Sequence, residues 1–362
     1  MESDRQPVLS VRNLKTNFFM DEGTVRAVDG ASFDVNLGQT LGVVGESGCG
    51  KSVTSLSILR IVPRPGRIVE GEILLRQDTE DGRTREVDLV SLGADSAEMH
   101  SIRGAEIALV FQEPMTSLSP VHTIGNQIIE VTRLHQSVSK REARRRVLEG
   151  LRRVGIPRAE TSIDAYPLQL SGGLRQRAVI AMALSCSPRL LIADEPTTAL
   201  DVTTQAQILD LLRSLQEQTG MAIMLITHDM GVIAEMADEV VVMYLGQVVE
   251  KGPVDEIFHS PKHPYTKALL RSIPSIHSTP KVPLPTISGT IPHPYNRPTG
   301  CQFHPRCPDF MQGVCDRHEP RLLAVGDEHQ VSCFLYHDAT DGANAIHGAT
   351  STPPNEREVS SQ

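Results

Sequence analysis

The sequence predicts an α/β fold built on a largely parallel sheet, with an antiparallel β region before its first helix, a helical insertion, and a small cysteine-containing extension at the end. Three observations carry this. Gly45-Glu46-Ser47-Gly48-Cys49-Gly50-Lys51-Ser52 fits G-x-x-x-x-G-K-[ST] and lies between the apolar run 40–44 and the helix-like stretch 52–59, the strand, loop and helix order that the motif needs. Two further apolar runs, 190–193 and 222–226, have the composition of strands buried on both faces, and each ends in polar side chains. Four of the six cysteines fall after residue 300, behind a proline-rich stretch.

Residues 8–14 and 25–35 alternate apolar and polar side chains around the turn at 21–23, which suits antiparallel strands flanking the nucleotide core. Phe18 and Phe19 precede that turn. An aromatic ring there has two readings, a stacking platform for adenine or an ordinary core residue, and Phe18 is the better candidate for the first. In the loop itself, glycines turn backbone N–H groups inward around a polyphosphate and the following helix adds its positive end. Lys51 then reaches the β- and γ-phosphates and Ser52 ligates Mg2+.

A short strand at 71–75 and a polar excursion lead to the apolar strand 107–111, which ends at Gln112. A polar side chain at the C-terminal end of a core strand faces the crevice where parallel sheets bind ligands, so Gln112 is a candidate sensor of the γ-phosphate through Mg2+ or water; a strand-capping glutamine is the alternative. Residues 115–170 are mainly helical by periodicity, and 140–154 carries a basic face opposite Val147, Leu148, Leu151 and Val154. That face reads first as solvated, with weak attraction to lipid headgroups as the second reading.

Ser171-Gly172-Gly173 then opens a helix, with Gln176 in its first turns. Ser171 is an N-cap candidate and the paired glycines leave N–H groups bare, which describes either a second anion site or a plain capping turn. The strand at 190–193 ends in Asp194 and Glu195. Asp194 is placed to hold Mg2+ and Glu195 to accept a proton from water. Asp201 precedes an amphipathic helix that stops at Gly220, and the strand after it delivers His228 to its end, where a hydrogen bond to the γ-phosphate is expected.

Composition limits the function classes. The chain has 362 residues, 40% hydrophobic and 22% charged, with a net charge of -9, which argues against nucleic-acid binding by overall basicity. No run of about 18 apolar residues and no basic-then-apolar N-terminus is found, so neither a membrane span nor a secretory signal is expected. The cysteines read as metal ligands, catalytic thiols or core residues before disulfides.

The order of the 45–52 loop, Gln112, 170–176, the strand ending at Glu195, Asp201 and His228 resembles the full motif set of ABC-transporter ATPase subunits: Walker A, Q-loop, signature, Walker B, D-loop and switch histidine. The resemblance spans about residues 8–250 and implies a RecA-like P-loop NTPase cassette, with an antiparallel β subdomain and a helical subdomain at about 115–180. It also implies that two cassettes meet head to tail. Ser171, Gly172 and Gly173 would then act on the ATP of a second cassette, while Asp201 and His228 couple hydrolysis to closure. A structural-maintenance cassette would need long heptad coiled coils between 112 and 170, a tandem-cassette translation factor two motif sets, and exporters often fuse their membrane spans.

Residues 251–335, with His263-Pro264-Tyr265, a proline-rich arm read as an extended linker at 280–298, and the cysteines, resemble the C-terminal extension of dipeptide and oligopeptide importer ATPases. Cys301, Cys307, Cys315 and Cys333 are separated by five, seven and seventeen residues, unlike the close pairs of zinc ribbons. A [4Fe–4S] cluster, as the resemblance implies, is the first reading; Zn2+ and unligated thiols are the others. The extension is expected to lack a core of its own and to need such a staple, and 336–362 is expected to be disordered. The partners implied are a second ATPase subunit, a paralogue in first place, two transmembrane permease subunits and an extracytoplasmic peptide-binding protein, at the cytoplasmic face of the membrane. Related importers carry nickel, sugars or other solutes. Cys49 stands where this family more usually has Ser and is expected to make activity sensitive to thiol reagents, and Leu174 stands where Met is frequent.

Overall fold

A computed structural model of the chain describes residues 7–78, 82–198, 200–273 and 287–338. The first part of the expected linker, 280–286, and all of the expected tail beyond 338 lie outside the described residues. The strands β1 (Pro7–Met20) and β2 (Gly23–Asn36) form one long hairpin rather than the shorter strands read from the sequence. They are followed by β3 (Thr40–Val44), α1 (Lys51–Ile58), β4 (Gly66–Asp78), β5 (Thr84–Asp88), α2 (Ala97–Ile102) and β6 (Ile107–Val110). The helical insertion holds α3 (Pro114–Ser117), α4 (Ile124–His135), α5 (Lys140–Arg153), α6 (Ala159–Ser162) and α7 (Gly172–Ala183). Then come β7 (Leu190–Asp194), α8 (Val202–Thr219), β8 (Ala222–Thr227), α9 (Met230–Met236), β9 (Glu239–Tyr244) and β10 (Gln247–Pro253). The extension adds α10 (Val254–His259), α11 (Pro264–Arg271), β11 (Leu323–Ala324) and β12 (Gln330–Val331).

Two sheets organise these elements. The antiparallel one runs β2-β1-β4-β5, and the larger runs β11-β12-β10-β9-β3-β8-β7-β6 with parallel pairing from β9 through β6. Alternation along the central strands divides the interior in two. Leu191 and Ala193 of β7 and Ile223 and Leu225 of β8 enter the core beneath the helical insertion, whereas Leu190, Ile192, Met224 and Ile226 enter the core against the antiparallel sheet. Both faces are therefore covered, which is why these strands read as unbroken apolar runs.

Register sets where the chain leaves the sheet. Val44 lies opposite Thr227, Asp194 opposite Ile226, and Val110 opposite Ala193. The residues that follow, Gly45, His228, Glu195 and Gln112, consequently emerge along one edge. Side-chain caps start these helices, Ser139 at α5, Ser171 at α7 and Asp201 at α8, and α8 stops at Gly220 in the left-handed region.

The extension packs into the cassette's core rather than standing apart from it. Tyr265 and Phe303 are 0% and 1% exposed and belong to the same core as the helical insertion, with Cys301 and Cys307 packed against it. β12 extends the main sheet by pairing with β10, Glu250 opposite Val331. The segment gains burial from the cassette rather than from itself.

Candidate active site: the phosphate loop and the polar strand ends

The loop between β3 and α1 is held so closely that only glycine fits at its ends. Gly45 has φ +154, and a Cβ there would lie 2.2 Å from the carbonyl oxygen of Met243; at Gly50, φ +104, it would lie 2.4 Å from that of Ala27. Lys51 begins α1, is 5% exposed, and donates from Nζ to the carbonyls of Gly45 at 2.7 Å and Glu46 at 3.2 Å. Ser47, Gly48 and Ser52 are exposed on the outer surface of the loop. Glu46 departs from the expectation of a cradle made throughout of free N–H groups: its N–H donates to the Tyr265 hydroxyl at 2.8 Å. Cys49 also departs from expectation. It is 3% exposed and burial raises its thiol pKa, which shields the sulfur and suppresses the thiolate that a reagent would attack.

At the end of β7, Asp194 is 7% exposed and its Oδ1 has no hydrogen-bond partner among the described residues. Burial raises its pKa, opposed by the Ser52 hydroxyl and then, after the repulsion of Glu195, by the charge of Lys51. A buried, unpartnered carboxylate oxygen beside a serine hydroxyl is costly alone and suits a cation, so these residues fit Mg2+.

Glu195 is the point on which the strand ends converge. Its Oε2 accepts from Gln112 Nε2 at 2.9 Å and from Thr198 Oγ1 at 2.9 Å, and its Oε1 lies 3.0 Å from His228 Nδ1. Burial pushes its carboxyl upward, but the hydrogen bonds from His228 and Thr198 and the charges of His228 and Lys51 outweigh that and leave it below the ordinary glutamate value. Gln112 and His228 are exposed, so this is a fixed carboxylate at a solvent-facing edge. Thr198 escaped the reading of the sequence; its signal is a hydroxyl three residues after Glu195, within reach across the turn.

The 171–176 segment stands apart. Ser171 Oγ accepts from the Leu174 N–H at 3.4 Å, and no hydrogen bond joins residues 171–173 to the 45–52 loop among the described residues. A Cβ at Gly173 would lie 2.6 Å from Cγ2 of Thr204 in α8. Gln176 is 1% exposed and faces inward, behind the Ser171 turn rather than on its surface. Asp201 accepts from Thr204 N at 2.9 Å and Thr204 Oγ1 at 2.7 Å. Phe18, in β1, packs beside Gly66, where an added Cβ would approach its ring to 2.7 Å.

Cys301, Cys307, Cys315 and Cys333 line one small cavity with His263, Pro264 and Phe303. Burial raises the thiol pKa of Cys301 to about 12 and of Cys333 to about 11, with the neighbouring cysteines contributing in the same direction. Among the described residues no group of three or more His, Cys, Asp or Glu side chains is gathered closely enough to hold a metal ion.

The ABC transporter family profile matches residues 28–198, and the profile of the oligopeptide/dipeptide transporter C-terminal region matches residues 249–315. The oligopeptide transport ATP-binding protein AppD of Bacillus subtilis is 50% identical over 332 residues, covering 91% of this chain and 97% of that protein. The chain belongs to the ATP-binding subunits of ABC transporters. The dipeptide transport ATP-binding protein DppD of the same organism is 48% identical over 331 residues, covering 91% of this chain and 95% of the relative. The solved dimeric ABC transporter cassette MJ0796 matches with a TM-score of 0.58 and 28% identity over 68% of this chain and 98% of its own. CbiO1 of Clostridium perfringens, part of an ABC transporter complex, matches with a TM-score of 0.57 and 28% identity, covering 70% and 91%. As an ABC cassette the chain is an ATPase, and no helix among the described residues is long and apolar enough to cross a membrane.

Proposed function

We propose that this chain is the ATP-hydrolysing subunit of a membrane importer of dipeptides or oligopeptides, working at the cytoplasmic face against a second cassette. The observation that carries the reading is a complete polar ATPase edge in one chain with a 249–315 segment that matches the oligopeptide/dipeptide transporter C-terminal region. On this reading residues 1–250 are the nucleotide-binding domain, with the helical subdomain at about 115–180, and 251–335 are the importer extension.

ATP is gripped by the 45–52 loop, and Lys51 exchanges its carbonyl partners for the β- and γ-phosphates. Ser52, Asp194 and Gln112 hold Mg2+, which when bound neutralises charge on the phosphate oxygens. Glu195, kept ionised and oriented by Gln112, Thr198 and His228, takes the proton of the attacking water. Ser171, Gly172 and Gly173, with no bond to their own loop, complete the phosphate cage of the partner cassette, and the helix they open presents its positive end. Gln176 supports that turn from within, Asp201 relays closure through the start of α8, and Phe18 stacks on adenine.

Two permease subunits and an extracytoplasmic binding protein complete the transporter, with a paralogous cassette as the partner. The four cysteines line one cavity without being gathered closely enough to hold a single metal ion, so a [4Fe–4S] cluster there is proposed from their number and spacing alone. Spacings of five, seven and seventeen intervening residues, with no close pair, support this over a zinc ribbon. Anaerobic purification with iron, sulfide and zinc counts tests it: about four iron and four sulfide per chain is the expected result, and zinc alone or no metal refutes it. For the transport role, affinity purification is expected to bring down two membrane subunits, and deleting the chain to abolish dipeptide or oligopeptide uptake. Undiminished uptake of both refutes the role.

A further inference from the structure

The His263-Pro264-Tyr265 motif marks the family resemblance but has no part in the chemistry described above. The structure gives it one. His263 caps α11 by accepting the Tyr265 N–H on Nδ1 at 3.1 Å, and Pro264 occupies the first helical position, where its missing N–H costs nothing. The backbone N–H groups of Lys262 and His263 are fixed on the buried Glu250 carboxylate of β10, at 2.6 and 2.9 Å. Tyr265 is thereby aimed through the core, its hydroxyl 2.8 Å from the N–H of Glu46 in the phosphate loop.

A second residue of the extension reaches the same loop position. Arg306, whose side chain is 3% exposed, donates from Nη1 and Nη2 to the two Glu46 oxygens at 2.7 and 3.0 Å. Its Nε donates to the Ser288 carbonyl at 3.1 Å and its guanidinium lies 5.8 Å from the Tyr244 ring centre. Tyr244, Tyr265 and Phe303 form the wall behind it, with ring centres 4.8 to 5.4 Å apart. Such a two-pronged arginine–carboxylate pair fixes orientation as well as position.

Glu46 is therefore held at three points. The extension takes its N–H and its carboxylate, while its carbonyl receives Lys51 Nζ at 3.2 Å and the Cys49 N–H at 3.2 Å. When Lys51 turns to phosphate, the Cys49 N–H still holds the Glu46 carbonyl from within the loop, and the contacts from the extension are what tie this arm of the loop to the rest of the protein. We infer that Tyr265 and Arg306 are positioning residues for ATP, acting through Glu46, so that the extension sets the cassette's affinity for nucleotide. A preformed loop loses less freedom on binding, so the effect falls on affinity rather than on the chemical step.

The inference rests on ATP binding at the 45–52 loop, which Lys51→Ala checks separately. The full chain with its metal content intact is compared with Tyr265→Phe, which keeps the ring and removes only the hydroxyl, and with Arg306→Lys and Arg306→Gln. Equilibrium binding of a fluorescent ATP analogue, KM and kcat for hydrolysis, and the thermal midpoint without nucleotide are measured. Tyr265→Phe and Arg306→Gln are expected to raise Kd and KM by about tenfold, the equivalent of one lost hydrogen bond to a loop that binds charge, with kcat changed by less than about twofold. Arg306→Lys is expected to recover part of the affinity, since one prong survives. Unchanged Kd in folded Tyr265→Phe overturns the inference, as does a loss of affinity that only tracks the fraction of unfolded protein. Loss of binding in Lys51→Ala with none in Tyr265→Phe leaves the ATP site standing and the positioning role refuted.

Discussion

Replacing Glu195 with Gln tests the chemistry at its centre with almost no change of shape. The carboxylate accepts from Gln112 and Thr198 on one oxygen and faces His228 on the other. A glutamine that keeps its carbonyl oxygen toward Gln112 and Thr198 turns its amide toward His228 Nδ1, which accepts in the tautomer that carries its proton on Nε2. All three contacts survive, so the cost to the fold is about 1 kcal/mol or less. What disappears is the basic oxygen. A positioned general base contributes about 10²- to 10⁴-fold, equivalent to about 2.7 to 5.5 kcal/mol of barrier. Phosphate release at saturating ATP is expected to fall by that factor while binding of a fluorescent ATP analogue stays within about threefold. Turnover within about threefold of the parent refutes Glu195 as the base, and a parallel collapse of ATP binding refutes the claim that its contacts are preserved.

Other outcomes follow from the same geometry. Gly45→Ala adds a Cβ 2.2 Å from a backbone carbonyl at φ +154, so nucleotide binding is expected to fall by at least about tenfold, read by titration with the fluorescent analogue. Wild-type binding would mean that the loop relaxes freely. Burial holds His263 neutral, pulling its pKa from 6.5 down to about 3. The unfolded imidazole takes a proton that the folded one refuses. Stability from this residue is thus complete above pH 6.5 and drains as pH falls toward 3, by up to about 1.4 kcal/mol per pH unit. Urea unfolding at several pH values is expected to give a shallower slope for His263→Asn, and an identical slope contradicts the assignment. Ser139→Ala removes the cap of α5, where the serine oxygen accepts from Glu142 N at 3.2 Å. A loss of about 1 kcal/mol in the same assay is expected with ATP turnover unchanged.

The strand ends were legible because local chemistry is distinctive there. An apolar run closing in Asp194-Glu195, or a β-strand delivering His228, is a pattern within a few residues, and parallel register then brings those ends together. The Ser171 cap and the helix stop at Gly220 were legible for the same reason. The grip of the extension on the loop was not. Tyr265 and Arg306 lie 219 and 260 residues from Glu46, and no periodicity links positions that far apart. Cys49 illustrates the other gap. Its position in the loop suggested reactivity, but burial decides a thiol's reactivity and burial arises from packing by distant segments. That the extension has too few residues to enclose a core was legible; that the main sheet supplies its wall was not.

On the proposed function, ATP hydrolysis in this chain drives peptide import. The most direct measurement is simultaneous recording of ATP hydrolysis and labelled dipeptide or oligopeptide entry in proteoliposomes holding the chain with its cassette partner, permease subunits and binding protein. Binding protein loaded with peptide is expected to stimulate hydrolysis, and Glu195→Gln in this chain to lower hydrolysis and uptake together. Uptake that continues at the parental rate while hydrolysis falls, or hydrolysis that no peptide stimulates, contradicts the proposed function.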